Sequence, residues 1–113
     1  CAAEVLSKAQ KHEQAVHILE IGLEKVPKEA RFYLLLGHQY RQLHEYNSAV
    51  KAYEKAVKFG NDEMKQEGYR AIGMVYYDNE KNEKKAKQFF QRYVKAGGND
   101  DEVKKLIAQL DKK

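Results

Sequence analysis

The residues best suited to chemistry in this sequence are histidines near its start. In zinc-binding helices, two histidines bind the metal and a glutamate acts as general base, and His12, Glu13 and His17 are of these types. Such helices, however, place their two histidines four residues apart. Here the histidines are five apart, so on a helix their imidazoles point about 140° away from each other. His38 and His44 find no third ligand at a suitable spacing. We therefore predict no metal site.

Other catalytic arrangements are equally poor. The only cysteine is Cys1, and neither it nor any serine has a matching base nearby in the sequence. Gly97 and Gly98 are typical of a helix end, with nothing of a phosphate-binding loop around them. The sequence predicts no cofactor and no enzymatic activity.

The strongest pattern is instead a repeated one. Residues 33–40 read Tyr-x-x-Leu-Gly-x-x-Tyr, and residues 69–76 read Tyr-x-x-Ile-Gly-x-x-Tyr. The glycines, Gly37 and Gly73, lie 36 residues apart, close to the ~34 residues of a helix-turn-helix repeat. Positions i, i+3, i+4 and i+7 form one stripe of a helix, so each segment should face a partner helix along this stripe.

A second helix follows each copy. Residues 49–53 read Ala-x-x-x-Tyr and residues 86–90 read Ala-x-x-x-Phe. A glycine inside a helix costs about 1 kcal/mol relative to alanine, so Gly37 and Gly73 need a compensating close approach by this second helix. We expect small residues to leave room at each crossing while aromatic rings fill the space around it.

These residues resemble the tetratricopeptide repeat (TPR) family, over roughly residues 1–97. The resemblance implies an all-α, right-handed solenoid of antiparallel helix-turn-helix units, about two and a half repeats followed by a C-terminal capping helix. We divide the single domain into residues 1–29 (partial repeat one), 30–62 (repeat two), 63–98 (repeat three) and 99–113 (capping helix).

One departure from the family pattern concerns repeat three. Its turn is one residue longer, because Ala86 follows Gly73 by 13 residues where Ala49 follows Gly37 by 12. The register of the second helix is therefore open, and either Phe89 or Phe90 could fill the crossing.

The partial first repeat is inferred from spacing. Ala15, Leu19 and Gly22 keep the spacing of the second helix of a repeat, and Pro27 lies where the family pattern ends one. Residues 1–9 would then be the last turns of a preceding first helix. We expect apolar residues of this uncapped repeat to need a neighbour, which allows self-association through it.

The chain's other end should be capped. Residues 99–102 read Asn-Asp-Asp-Glu, a helix start, and the apolar residues that follow recur at helical spacing. They should cover the last repeat, as a terminal helix does in a solenoid.

Residues rotated away from the glycine stripe should form the concave groove where TPR domains hold their partners. They offer apolar contacts and arginine forks for carboxylates. The predicted partner is therefore a peptide or helix segment with acidic and apolar residues. The predicted groove consists of Arg31, Leu34, His38, Arg41, Glu67, Arg70, Met74 and Tyr77.

Charge and hydropathy argue against a nucleic-acid-binding protein and against a membrane-spanning one. The net charge of +4 includes lysines clustered in residues 81–95, but they alternate with acids and carry no nucleic-acid motif, so we expect no specific nucleic-acid binding. No apolar run approaches the ~20 residues of a membrane span, so no transmembrane segment is predicted.

Cys1 leaves two interpretations open. If the sequence is a fragment of a larger, cytoplasmic protein, this thiol occupies an ordinary interface position and the domain is an adaptor or scaffold. If Cys1 is the mature end of a bacterial lipoprotein, it is the lipid attachment site. The chain would then be an envelope or periplasmic assembly subunit of a secretion, pilus or outer-membrane complex.

Overall fold

The protein is a row of helices. This computed structural model describes the backbone of residues 2–112 and the side chains of residues 10–112, and no strand occurs within that part of the chain. The α-helices are α1 (Ala2–Lys25), α2 (Ala30–Gln42), α3 (Tyr46–Phe59), α4 (Asp62–Met74), α5 (Glu83–Lys95) and α6 (Asp101–Asp111). Neighbours in sequence pack as antiparallel pairs, which confirms the predicted all-α repeat architecture.

The two repeated glycines receive aromatic rings from the second helix of each pair. A methyl group built on Gly37 would lie 2.4 Å from the Tyr53 ring, and one built on Gly73 would lie 2.5 Å from the Phe90 ring. Both rings are fully buried. The predicted close approach is therefore confirmed, with an aromatic ring in direct contact with each glycine. Phe90, and not Phe89, fills the second crossing.

A short π-helical segment absorbs the extra residue of repeat three. In repeat two, the Tyr40 carbonyl accepts a hydrogen bond from the Glu45 amide, whereas the equivalent Tyr76 carbonyl accepts from Asn82, one residue further along. The π turn spans Val75–Asn79 and directly extends α4. Because the widened turn takes up one residue, α5 keeps the register that places Phe90 over the glycine.

The predicted break within the first repeat is wrong. Helix α1 runs continuously from Ala2 to Lys25, so residues 2–9 are not the end of a separate first helix. Residues 8–14 read Lys-Ala-Gln-Lys-His-Glu-Gln, which contains neither glycine nor proline to stop a helix. Val16 and Leu19 of α1 pack on α2, beside Leu36.

Helix α6 packs on the last pair. Asp100 caps its start by accepting a hydrogen bond from the Glu102 amide at 2.9 Å. Val103 and Leu110 are buried in a cluster with Phe90 and Tyr93 of α5. Helix α6 thus buries its apolar stripe against α5, as the helical spacing predicts.

Candidate partner-binding groove

The predicted groove residues lie on α2, on α4 and on the π turn. Four of them are exposed, namely Arg31, His38, Glu67 and Arg70, while Arg41, Met74 and Tyr77 are half-buried and Leu34 is buried. Gly37 and Gly73 on the same helices point at the rings of α3 and α5. Because exposed positions are rotated away from these crossings, both helices present a polar side that their partner helices do not cover.

Leu34 differs from the prediction. Its side chain is only 8% exposed, and it belongs to a core cluster with Val50, Ile72 and Val75. The next repeat therefore covers this position, and Leu34 contributes to stacking of the two pairs. Spacing within one helix could not reveal this, because the covering residues come from α4 and the π turn.

His38 links the predicted groove to the core. Its Nδ1 atom lies 2.7 Å from the Tyr53 hydroxyl, and the two rings meet edge to face. Burial raises the pKa of Tyr53 to about 12, with an opposing effect of Arg41. The hydroxyl therefore stays protonated at neutral pH and can donate to Nδ1 of a neutral imidazole. Although His38 as a whole is exposed, its ring is partly buried at the Tyr53 contact, and this burial lowers the pKa of His38; Glu67 opposes the shift and Arg41 adds to it.

Arg41 is already engaged by the following repeat. Its Nε donates to the Asn79 side-chain oxygen at 3.0 Å, and its Nη2 lies 3.5 Å from the Asp78 carboxylate. Asn79 in turn donates to the Tyr46 hydroxyl at 3.3 Å. The Arg41 and Asp78 side chains stay 29% and 43% exposed. Since such an ion pair is worth little in water, another carboxylate could replace Asp78 without a large cost.

Arg70 makes the corresponding contact with α6. Its Nε donates to the Asp100 carboxylate at 3.1 Å, and its side chain is 45% exposed. A guanidinium has five N–H donors, so this contact leaves most of its fork facing solvent. Arg70 thus positions the α6 cap and still presents donors on the predicted groove.

Met74 and Tyr77 supply partly covered apolar surface. Both pack against the cluster of α5 and α6, and the Tyr77 ring lies 6.4 Å from the Phe90 ring between centroids. These side chains are therefore held in place and not free to rearrange.

Sequence reasoning missed the acidic partners of the arginines. Asp78 lies on the π turn and Asp100 at the cap of α6, and both face residues more than 25 positions away along the chain. The only local signal was the extra residue in the turn of repeat three, which gave no direction for the side chain of Asp78.

The histidines of α1 point apart in the structure. The Nδ1 atom of His12 lies 2.6 Å from the side-chain oxygen of Gln39 on α2, while His17 is exposed. Within the side chains that the structure describes, no cluster of three or more His, Cys, Asp or Glu is placed to hold a metal ion. Over the same stretch, no helix combines the length and apolar character that a membrane crossing requires.

Comparison with known proteins supports the repeat architecture over one helix pair. The Tetratricopeptide repeat family model matches residues 30–59, which comprise α2 and α3. Residues 30–59 are thus similar to a tetratricopeptide repeat. No curated protein matches the chain significantly. A repeat of this family supports a protein–protein interaction module, and the family typically serves as a non-catalytic scaffold.

Cys1, the predicted lipid attachment site, lies outside the described residues. The lipoprotein interpretation therefore stays a prediction, and so do the cytoplasmic and envelope locations that depend on it.

Proposed function

We propose that this TPR domain is an adaptor that holds a peptide or helix segment of another protein along the polar side of α2 and α4. The observation that carries the proposal is the row of exposed donors, Arg31, His38 and Arg70, rotated away from the glycine–ring crossings. Partner binding of this kind involves no covalent chemistry.

The charges of the groove favour a partner with carboxylates. Asp78 and Asp100 already accept hydrogen bonds from Arg41 and Arg70, which supports carboxylates as the partner groups for these guanidiniums. A partner carboxylate that replaced Asp78 would exchange one exposed ion pair for another, with little net change in energy. Affinity must then come mainly from apolar contacts, while the arginine forks set register and selectivity.

Apolar contact is offered where Met74 and Tyr77 line the same side. Both are half-buried and fixed by packing against the α5–α6 cluster. A fixed aromatic side chain loses little conformational entropy when a partner docks on it, which makes it a favourable anchor. We therefore expect apolar residues of the partner to lie over Met74 and Tyr77 and acidic residues to lie near the arginines.

The proposal is tested by selecting peptides from a random display library and measuring the enriched peptides by calorimetry. Arg41→Ala and Arg70→Ala should each weaken binding about two- to fivefold, because an exposed ion pair contributes less than about 1 kcal/mol. Lys84→Ala on α5 is the matched control, because Lys84 is exposed and belongs to the outer helix of its pair. If both arginine variants bind as tightly as the wild type, the site is not in this groove.

A further inference from the structure

A cavity of about 250 Å³ opens in the cleft between α2 and α3, on the side that faces α1. This cavity, here called the aromatic cleft, is lined by Tyr33 and Tyr40 of α2 and by Ala52 of α3. Lys51 and Lys55 of α3 stand at its rim. None of the predicted groove residues lines it, so it is a separate surface.

In repeat three, the position that corresponds to the aromatic cleft is occupied by the ring of Phe89. Phe89 stacks on Tyr76, with ring centroids 5.7 Å apart and planes 24° apart. Its ring also lies 6.5 Å from that of Tyr69, and the Arg92 guanidinium lies 4.8 Å from the Phe89 centroid. A ring between two tyrosines, with a cation beside it, is thus a stable arrangement of this fold.

Each of these residues has an equivalent in the aromatic cleft. Because Gly37 aligns with Gly73, Tyr33 and Tyr40 take the places of Tyr69 and Tyr76. In the second helix, Tyr53 aligns with Phe90, so the residue that precedes it, Ala52, takes the place of Phe89.

The cleft therefore keeps both tyrosine walls while an alanine methyl stands where repeat three has a phenyl ring. Lys55 takes the place of Arg92, and its Nζ lies 5.4 Å from the centroid of the Tyr33 ring. The cation beside the ring position is thus also retained. The geometry fits a planar ring supplied by another molecule.

The charged residues at the rim of the cleft favour particular residues next to the bound ring. Lys51 and Lys55 are both exposed and carry positive charge at the edge of the cleft. In repeat three the place of Lys51 is taken by Gln88 and that of Ser48 by Lys85. The Nζ atom of Lys85 lies 5.3 Å from the centroid of the Tyr76 ring, so both positions carry two cations. Carboxylates next to the incoming ring would be attracted to this rim.

We propose that the aromatic cleft binds an aromatic side chain of a partner polypeptide, flanked by acidic residues, in the position that Phe89 occupies in repeat three. This is a second site beyond the groove of the proposed function. Its failure would leave the groove proposal intact.

A tryptophan tripeptide tests the proposal directly. The chain contains no tryptophan, so the fluorescence of N-acetyl-Asp-Trp-Asp-amide reports on the ligand alone when it is excited at a wavelength that the eight tyrosines do not absorb. On titration with the full chain we expect a saturable change in emission. Backbone amide shifts in NMR spectra should be centred on Tyr33, Tyr40 and Ala52. The analogue N-acetyl-Asp-Ala-Asp-amide should bind about tenfold more weakly or not at all.

Ala52→Phe is the decisive variant, because it gives the chain itself an aromatic ring at the position that Phe89 occupies in repeat three. It should abolish binding of the tripeptide. The double variant Lys51→Glu, Lys55→Glu changes only exposed side chains, so it tests the proposal even if Ala52→Phe does not fold. This double variant should weaken binding of the tripeptide at least tenfold, most strongly at low salt. Lys84→Glu is the matched charge control and should bind as the wild type does.

Three results would overturn the proposal. The first is a wild-type chain that does not bind the tripeptide. The second is undiminished binding by Ala52→Phe or by the double charge reversal. The third is a concentration-dependent dimer in sedimentation that Ala52→Phe abolishes, because the occupant would then be a second copy of the chain.

Discussion

Replacing Gly37 with alanine tests the packing that defines each repeat. The added methyl carbon would lie 2.4 to 2.8 Å from three atoms of the Tyr53 ring, well inside any real carbon–carbon contact. That ring cannot move aside easily, because it is fully buried and its hydroxyl is hydrogen-bonded to His38. Relief of the overlap therefore requires the helices to separate or the ring to leave its site.

The expected magnitude follows from three terms. Alanine gains about 1 kcal/mol of helix propensity over glycine. Overpacking of a well-filled core costs about 1–3 kcal/mol, and disturbance of the hydrogen bond to His38 costs about 1 kcal/mol more. Gly37→Ala should thus lower the free energy of unfolding by about 1–3 kcal/mol. For a domain of this size that corresponds to a fall in Tm of about 5–15 °C.

Urea and thermal unfolding followed by circular dichroism at the helix band measure this change, and Gly22→Ala is the matched control. Gly22 also lies inside a helix, but its added methyl would come no closer than 3.1 Å to the ring edge of half-buried Phe32, which can shift. We expect Gly22→Ala to change stability by no more than about 1 kcal/mol. If Gly37→Ala is as stable as the wild type, the tight seating of Tyr53 on this glycine is refuted.

Two further predictions concern pH and the last helix. The lowered pKa of His38 means that its neutral form is favoured by folding; its contribution to stability is complete above the ordinary value of 6.5 and is lost as pH falls below it. Urea unfolding from pH 7.5 to 5 should therefore show a steeper loss for the wild type than for His38→Gln, and parallel curves would contradict this. Val103→Ala should lower the free energy of unfolding by about 2 kcal/mol, because Val103 is 1% exposed against α5. Lys105→Ala on the exposed face of the same helix should change the free energy of unfolding by less than about 0.5 kcal/mol. Equal effects of the two variants would contradict the role of α6 as a cap on the last repeat.

The sequence predicted most where its signal was local and repeated. The glycine stripes of residues 33–40 and 69–76 predicted the first helices of two repeats and the close approach of a second helix at Gly37 and Gly73, because an i, i+3, i+4, i+7 pattern is a property of one helix. That an aromatic ring makes this contact was not predicted. The extra residue after Gly73 was visible too. Its absorption by a π turn was not, since the choice depends on the buried fit of Phe90.

Prediction was poorest where spacing was extended without a helix-breaking residue. The separate first helix at residues 1–9 was inferred by counting back from Ala15, although nothing between them interrupts a helix, and α1 is continuous. In the groove, the burial of Leu34 and the pairing of Arg41 with Asp78 depend on how consecutive repeats stack. Such contacts join distant parts of the chain, which a pattern within one helix does not encode.

The central claim is that partners are held on the polar side of α2 and α4. Amide chemical-shift mapping tests it most directly, with a display-selected peptide titrated into isotope-labelled chain. The account predicts shifts concentrated at Arg31, His38, Arg70, Met74 and Tyr77. Shifts confined to the outer surfaces of α3 and α5, with these five residues unchanged, would contradict it.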